Sequence, residues 1–158
     1  VQHTAGGWLH AIESSGAGLL VRDAVWLYPA ANVLHVLAAL VFFAAVAVMD
    51  LRVLGLVGGD PVRPTLARFR RVAVAAFLAM LASGGVLFLA EATALGANPS
   101  FQVKLVLIAL GLANVLWLEA SLSRAAPGAV PGAARRAAML SLALWLGVAA
   151  CGRFIAYV

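Results

Sequence analysis

Four long stretches of the chain carry almost no polar side chain, and short breaks rich in glycine, proline and small polar residues separate them. The stretches cover residues 28–51, 71–92, 101–121 and 136–157, each about as long as the roughly 20 helical residues that cross a bilayer. Turn chemistry marks every break: Gly58-Gly59-Asp60-Pro61, Gly96-Ala97-Asn98-Pro99, and 125–132 with its two Pro-Gly pairs. Asn98 or Ser100 is placed to cap the third helix, with Pro99 in its first turn. The runs are too long and too evenly apolar for strands, which argues against a β-barrel. The pattern predicts an all-α protein: a four-helix transmembrane bundle over 28–158, preceded by an interfacial segment over 1–27. In that segment Trp8, Leu9, Ile12, Leu19 and Leu20 fall at loosely helical spacing, weakened by Gly16 and Gly18, and predict one helix lying on the outer leaflet.

Composition sharpens this picture. Of 158 residues, 65% are hydrophobic and 11% charged, with a mean hydropathy of +1.04; a soluble domain carries roughly 25% charged residues. The pI near 10.7 invites a nucleic-acid reading, but the positions of the cations decide otherwise. Arg52, Arg63, Arg68, Arg70, Arg71, Arg124, Arg135 and Arg136 sit at the connections after the first and third spans, against Arg22, Lys104 and Arg153 on the other side. The positive-inside rule therefore puts the arginine-rich loops in the cytoplasm and both termini outside the membrane. The charge orients the chain and attracts anionic lipid; no nucleic-acid partner is expected. One cysteine, Cys151, leaves no internal disulfide and no CxxC motif, and packing is its expected role. The first residues show no basic n-region, so no cleavable signal peptide is expected.

Ionisable groups within hydrocarbon are functional candidates by default. Asp50, Arg52 and Glu119 lie at span ends and read as inner-interface anchors that snorkel. The outer half is different. Tyr28, Asn32 and His35 share one helix face, with His35 about 10 Å inside Tyr28 at the helical rise. Gly84, seven residues inside Glu91, comes out at nearly the depth of His35, and Lys104 and Arg153 open and close spans on that side. The bland role for His35 is an interhelical hydrogen bond to Asn32, a carbonyl or Glu91. The functional roles are haem ligand, quinone partner, metal ligand or proton-relay member. In the haem b reading, His35 ligates iron, Gly84 lets a flat macrocycle approach the backbone, and Lys104 and Arg153 pair with propionates. No other span holds a histidine; Met80 lies about 6 Å deeper, leaving either His10 or His3 of the surface segment as second ligand or a five-coordinate haem. For a metal site His35 and His10 are the candidates, without any short ligand spacing.

Trp26-Leu27-Tyr28-Pro29 followed by His35, Asp50-Leu51-Arg52-Val53-Leu54-Gly55, Asn98 with Phe101 and Lys104, and 152–157 (GRFIAY) together resemble a family of small bacterial integral membrane proteins known mainly as a four-helix domain of unknown function. The resemblance runs from about Trp8 to Tyr157 and implies that His35, Asp50, Arg52, Lys104 and Arg153 occupy the family's marked positions; it implies no activity. A looser similarity is to the membrane domain of copper-resistance D-type proteins, whose Met-rich motifs this chain lacks. With no Ser/His/Asp set, HExxH or phosphate loop, the chain is not expected to catalyse on its own. The first expectation is a cofactor-binding or anchor subunit holding haem b or a quinone for electron transfer in an outer-half pocket of His35, Tyr28, Asn32, Gly84, Glu91, Lys104 and Arg153, in an oligomer or with a partner subunit. The alternatives are a transporter-like protein for copper or a small solute, and a structural accessory subunit.

Overall fold

The computed structural model describes residues 5–59 and 61–157, and among them every regular element is helical. Two short helices, α1 (Ala5–Glu13) and α2 (Gly16–Asp23), precede α3 (Leu27–Leu54) and α4 (Val62–Ala90). A single-turn-and-a-half helix, α5 (Ala92–Ala97), leads into α6 (Pro99–Ser123) and α7 (Gly132–Phe154), which ends in a 3-10 turn, Ile155–Tyr157. Helices α3, α4, α6 and α7 are each long and apolar enough to cross a membrane, as the hydropathy pattern requires. Their exposed faces carry Leu37, Leu40, Leu78, Leu81, Leu116 and Leu146, a surface that water would not tolerate and acyl chains would.

The ends of the helices follow local chemistry. Asn98 caps α6, its Oδ1 accepting from the backbone N–H of Ser100 at 2.9 Å and of Phe101 at 3.2 Å, with Pro99 in the first turn. Gly55 stops α3 in the left-handed region at φ 78°, and Leu56 N–H returns to Leu51 C=O at 3.0 Å. On the arginine-rich side the helices outrun the apolar stretches: α4 starts at Val62 instead of 71, and α7 at Gly132 instead of 136. Arginine is a good helix former, so charge ends the hydrocarbon crossing without ending the helix. At 29 residues α4 is about 43 Å long against a hydrocarbon core of about 30 Å.

Helix α4 packs along α3, α3 against α7, and α7 along α6, while no extended backbone packing joins α4 to α6. The four spans thus form a ring with one open seam. Small residues bring the backbones together: Ala134, Ala137 and Ala138 of α7 are fully buried against Val53, Leu66, Leu118 and Leu122 at the arginine-rich end. Toward the middle, Phe42, Val46, Ala76, Met80, Trp145 and Val148 form the second core cluster.

The N-terminal segment departs from expectation. In place of one helix, α1 and α2 form a bent pair docked on α4 and α5 at the end opposite the arginine-rich loops. The chain breaks at Ser14-Ser15, where Ser15 Oγ caps α2 through the N–H of Gly18 at 3.2 Å. Of the two glycines that weaken a single amphipathic helix, Gly18 makes a close contact: a Cβ there would stand 2.9 Å from the Leu89 carbonyl oxygen, and on α5 a Cβ at Gly96 would stand 2.6 Å from Leu9 Cδ1. Glu13 ties the pair to α5, its Oε2 accepting from Thr93 N–H at 3.0 Å while Oε1 meets Arg22 at 3.3 Å. Hydrogen bonding to Thr93, aided by the charge of Arg22, holds the Glu13 carboxyl below its ordinary value of 4.5. A depressed carboxyl contributes docking stability that is complete above that ordinary value and is lost as pH falls through the docked-state value. Proteolysis in the 14–15 connection should therefore stay slow from pH 7 down to the ordinary carboxyl value of 4.5 and rise only at more acid pH, and Glu13→Gln should show the rapid cleavage at every pH. A Gln variant as resistant as the wild type at pH 7 contradicts this role.

Candidate functional site

Two polar constellations occupy opposite halves of the bundle. In the half nearest α5, the His35 ring of α3 crosses to α4, with Nδ1 3.0 Å from Ser83 Oγ. Ser83 Oγ also donates to the Ala79 carbonyl at 2.7 Å. With its one proton used there, the hydroxyl accepts from His35 Nδ1–H, which assigns the Nε2 lone pair as the free one. Gly84 does lie at the depth of His35, for the imidazole itself fills the notch: a Cβ there would be 3.1 Å from His35 Cε1 and 3.4 Å from Nδ1. Tyr28 hydrogen-bonds Glu91 across the same helix pair. Lys104 lies within electrostatic reach of His35, its Nζ 3.8 Å from where a Gly152 Cβ would stand.

The remaining candidates on that side are not gathered in. Asn32 and His10 are exposed, and Arg153 turns to Tyr157, bonding its hydroxyl and lying 4.3 Å over its ring. Met80 is buried in the apolar core. His3 lies outside the described residues. Among the described residues no three or more His, Cys, Asp or Glu side chains converge as a metal would require.

The second constellation lies toward the arginine-rich end, and the sequence reading had only its fringe. Asp50 is not a snorkelling anchor. It is 2% exposed, among the most buried side chains of the structure. Four residues before the end of α3, it faces inward across the bundle, with the Ser141 hydroxyl of α7 within reach. One helical face of α7 carries Ala137, Ser141 and Trp145 at intervals of four. Asn114 of α6 is fixed to this face, its Nδ2 donating to the Ala137 carbonyl at 2.9 Å, which forces its Oδ1 the other way. Trp145 lies flat against Gly111, where any Cβ would come within 2.9 Å of its Cζ2. Its ring meets Phe42 edge-on with centroids 4.6 Å apart, and Phe77 stands 5.6 Å from Phe42.

Three atoms of this group are buried without any hydrogen-bond partner: Asp50 Oδ2, Asn114 Oδ1 and Trp145 Nε1. The residues that carry them line one cavity of about 170 Å³ between α4 and α6, with α3 and α7 as its floor. Val74 and Leu78 of α4 and Leu112 and Val115 of α6 border it and are themselves exposed, so the cavity opens sideways through the seam. At the arginine-rich end Arg70 pairs with Glu119, and Arg63 Nη2 donates to the Leu122 carbonyl at 2.7 Å, both from α4 to α6. At the other end Phe88 and Phe101 stack at 5.8 Å. The seam is closed at its two ends and open between them. Glu119 is thus a rim residue that reaches across the seam. The α7 spacing was a readable signal for this site; that α3 and α6 aim their polar groups at it was not.

Compared with known proteins, the chain matches no family model, no curated protein and no solved structure.

A buried polar group left unpaired costs about 1–3 kcal/mol. If Asp50 serves a ligand and not the fold, Asp50→Leu should leave the ligand-free protein as stable as wild type or more stable by that amount, read as an unchanged or higher Tm in detergent. A Tm lowered by 10 °C or more, about 3 kcal/mol at this chain length, would make Asp50 a structural residue.

Proposed function

We propose that this protein is a membrane-embedded binding protein, transporter-like in kind, for a small amphipathic solute that enters from the bilayer through the α4–α6 seam. One observation supports the reading: three residues from three different helices, each with one buried polar atom left unpartnered, line a single cavity between α4 and α6 whose rim residues are exposed. An apolar cavity with a few convergent polar groups is the usual form of a small-molecule site. The polar atoms fix the solute's head, and Phe42, Phe77 and Trp145 receive its apolar part. With the arginine-rich loops in the cytoplasm, the site falls in the cytoplasmic half of the membrane, within reach of both the inner leaflet and the interface.

Val115 stands at the mouth on an exposed face, so a larger side chain there blocks entry without crowding the core. Hexan-1-ol, a neutral amphiphile of suitable size, should raise the Tm of the wild-type protein in nanodiscs by about 3 °C or more at saturation, and Val115→Trp should abolish the shift. Equal shifts in the two proteins, or none in the wild type, would contradict a cavity site.

A second reading keeps the outer half, where His35 would hold haem b or a quinone for electron transfer. The observation favouring it is the Nδ1–Ser83 bond, since a ligating histidine uses its other ring nitrogen to fix its orientation. Protein purified gently and reduced with dithionite should then show a Soret band and α/β bands that His35→Ala removes. A colourless, folded wild type that takes up no added haemin ends the haem form of this reading.

A further inference from the structure

We infer that the cavity behind the α4–α6 seam selects organic ammonium ions, its solute being a primary amine bearing an apolar group of about the size of benzene. The inference rests on the cavity reading above and adds the charge and the donor pattern of the ligand.

Charge is the first consideration. Arg70 and Glu119 at the rim neutralise each other, and Arg52 directs its guanidinium to the carbonyls of Val57 and Gly59 in the loop. Asp50 has only the Ser141 hydroxyl near it, and its Oδ2 is buried without a hydrogen-bond partner. The cavity therefore holds one carboxylate without a counter-charge in surroundings that are otherwise aliphatic and aromatic. Such a group is strongly disfavoured unless a cation or a proton joins it.

The donor pattern is the second. Two of the three unpartnered atoms, Asp50 Oδ2 and Asn114 Oδ1, are acceptors. The orientation of Asn114 follows from its Nδ2 bond to Ala137, because a reversed amide would set two oxygens against each other. A ligand that satisfies both must bring N–H or O–H donors. A primary ammonium has three. A quaternary ammonium has none, and a ketone or ester carbonyl could serve only Trp145.

The wall supplies the third point. Phe42, Phe77 and Trp145 line the same cavity as Asp50, and aromatic faces attract cations that have lost their water. The volume of about 170 Å³ is close to that of a cavity of about 150 Å³ known to take benzene, so a six-carbon or phenyl group fits inside. A longer chain has the open seam to lie in. Bilayer ethanolamine lipids carry the same alkylammonium head as free amines, and the two sources are separable by experiment.

The test compares hexylammonium, hexyltrimethylammonium and hexan-1-ol for binding to the wild-type protein, Asp50→Asn and Val115→Trp in phosphatidylcholine nanodiscs, by titration calorimetry against empty nanodiscs. Hexylammonium should bind the wild type at least tenfold more tightly than either of the other two. Asp50→Asn should remove that preference while still binding hexan-1-ol, which reports that the variant is folded and its cavity intact. Equal affinity of the wild type for hexylammonium and hexan-1-ol overturns the ammonium assignment and leaves the cavity reading in place. Failure of all three to bind overturns both. Repeating the hexylammonium titration with phosphatidylethanolamine in the nanodisc separates the sources: competition by the lipid supports the ammonium site with the headgroup as occupant, and an unchanged curve supports it with a free amine.

Discussion

A polar atom inside a bilayer has only the protein to bond with, and this condition organises the whole bundle. Water cannot compensate a misplaced amide or carboxyl, so each buried polar side chain is drawn to a neighbouring helix or back to its own. Ser83 does both, returning a proton to Ala79 and receiving one from His35. Asn114 spends its amide on the Ala137 carbonyl, and the Ser141 hydroxyl lies beside Asp50. These bonds run between helices with little hydrophobic reason to associate, since lipid solvates a leucine face as well as a neighbouring helix does. They therefore help to choose which helices meet. Against this background, three atoms that break the rule around a single cavity are the least expected feature of the structure.

The open seam follows from how the contacts are distributed. Alanine and glycine stripes bring α3 to α4, α3 to α7 and α6 to α7, and the seam facing α4 and α6 instead presents Val74, Leu78, Leu112 and Val115. Nothing there draws the two backbones together. What joins α4 to α6 sits at the extremes: an ion pair and an arginine-carbonyl bond at one end, a ring stack at the other. Clamps at both ends of an unpacked middle permit the seam to widen without separating the helices.

The architecture was readable because it rests on quantities a sequence carries directly. Span number comes from hydropathy, the α6 boundary from Asn98-Pro99, and the depth match of His35 with Gly84 from the helical rise alone. What was not readable depends on rotation and pairing. Asp50 looked like an interface anchor because it is four residues from the end of α3 and two from Arg52. Whether a carboxylate at that depth turns outward to the headgroups or inward to Ser141 depends on which face α3 gives to α7, and a run of alanine, valine and leucine all round leaves that undetermined. The same uniformity hid the orientation of Asn114. The docking of α1 and α2 was obscured for another reason: Gly18 read as a weak point in a helix and Gly96 as part of a turn, when the backbone at Gly18 leaves no room for a Cβ and Gly96 lies against Leu9.

The two polar constellations also differ in a way that bears on their roles. Around His35 the groups are paired: imidazole with hydroxyl, phenol with carboxylate, and a glycine shaped to the ring it accommodates. Such completeness is what a tie between α3 and α4 requires, and it leaves one lone pair, at His35 Nε2, for anything further. Around Asp50 the pairing is deliberately partial in its geometry. The Ala137 carbonyl holds Asn114 by its Nδ2, Ser141 lies beside Asp50, and Gly111 seats Trp145, while Asp50 Oδ2, Asn114 Oδ1 and Trp145 Nε1 stay unsatisfied. A group that is both immobilised and unsatisfied has already lost the entropy of ordering, so an incoming ligand need not supply it. Rigidity without saturation is the physical condition for recognition inside a membrane, and in this bundle it is met on the side of the cavity.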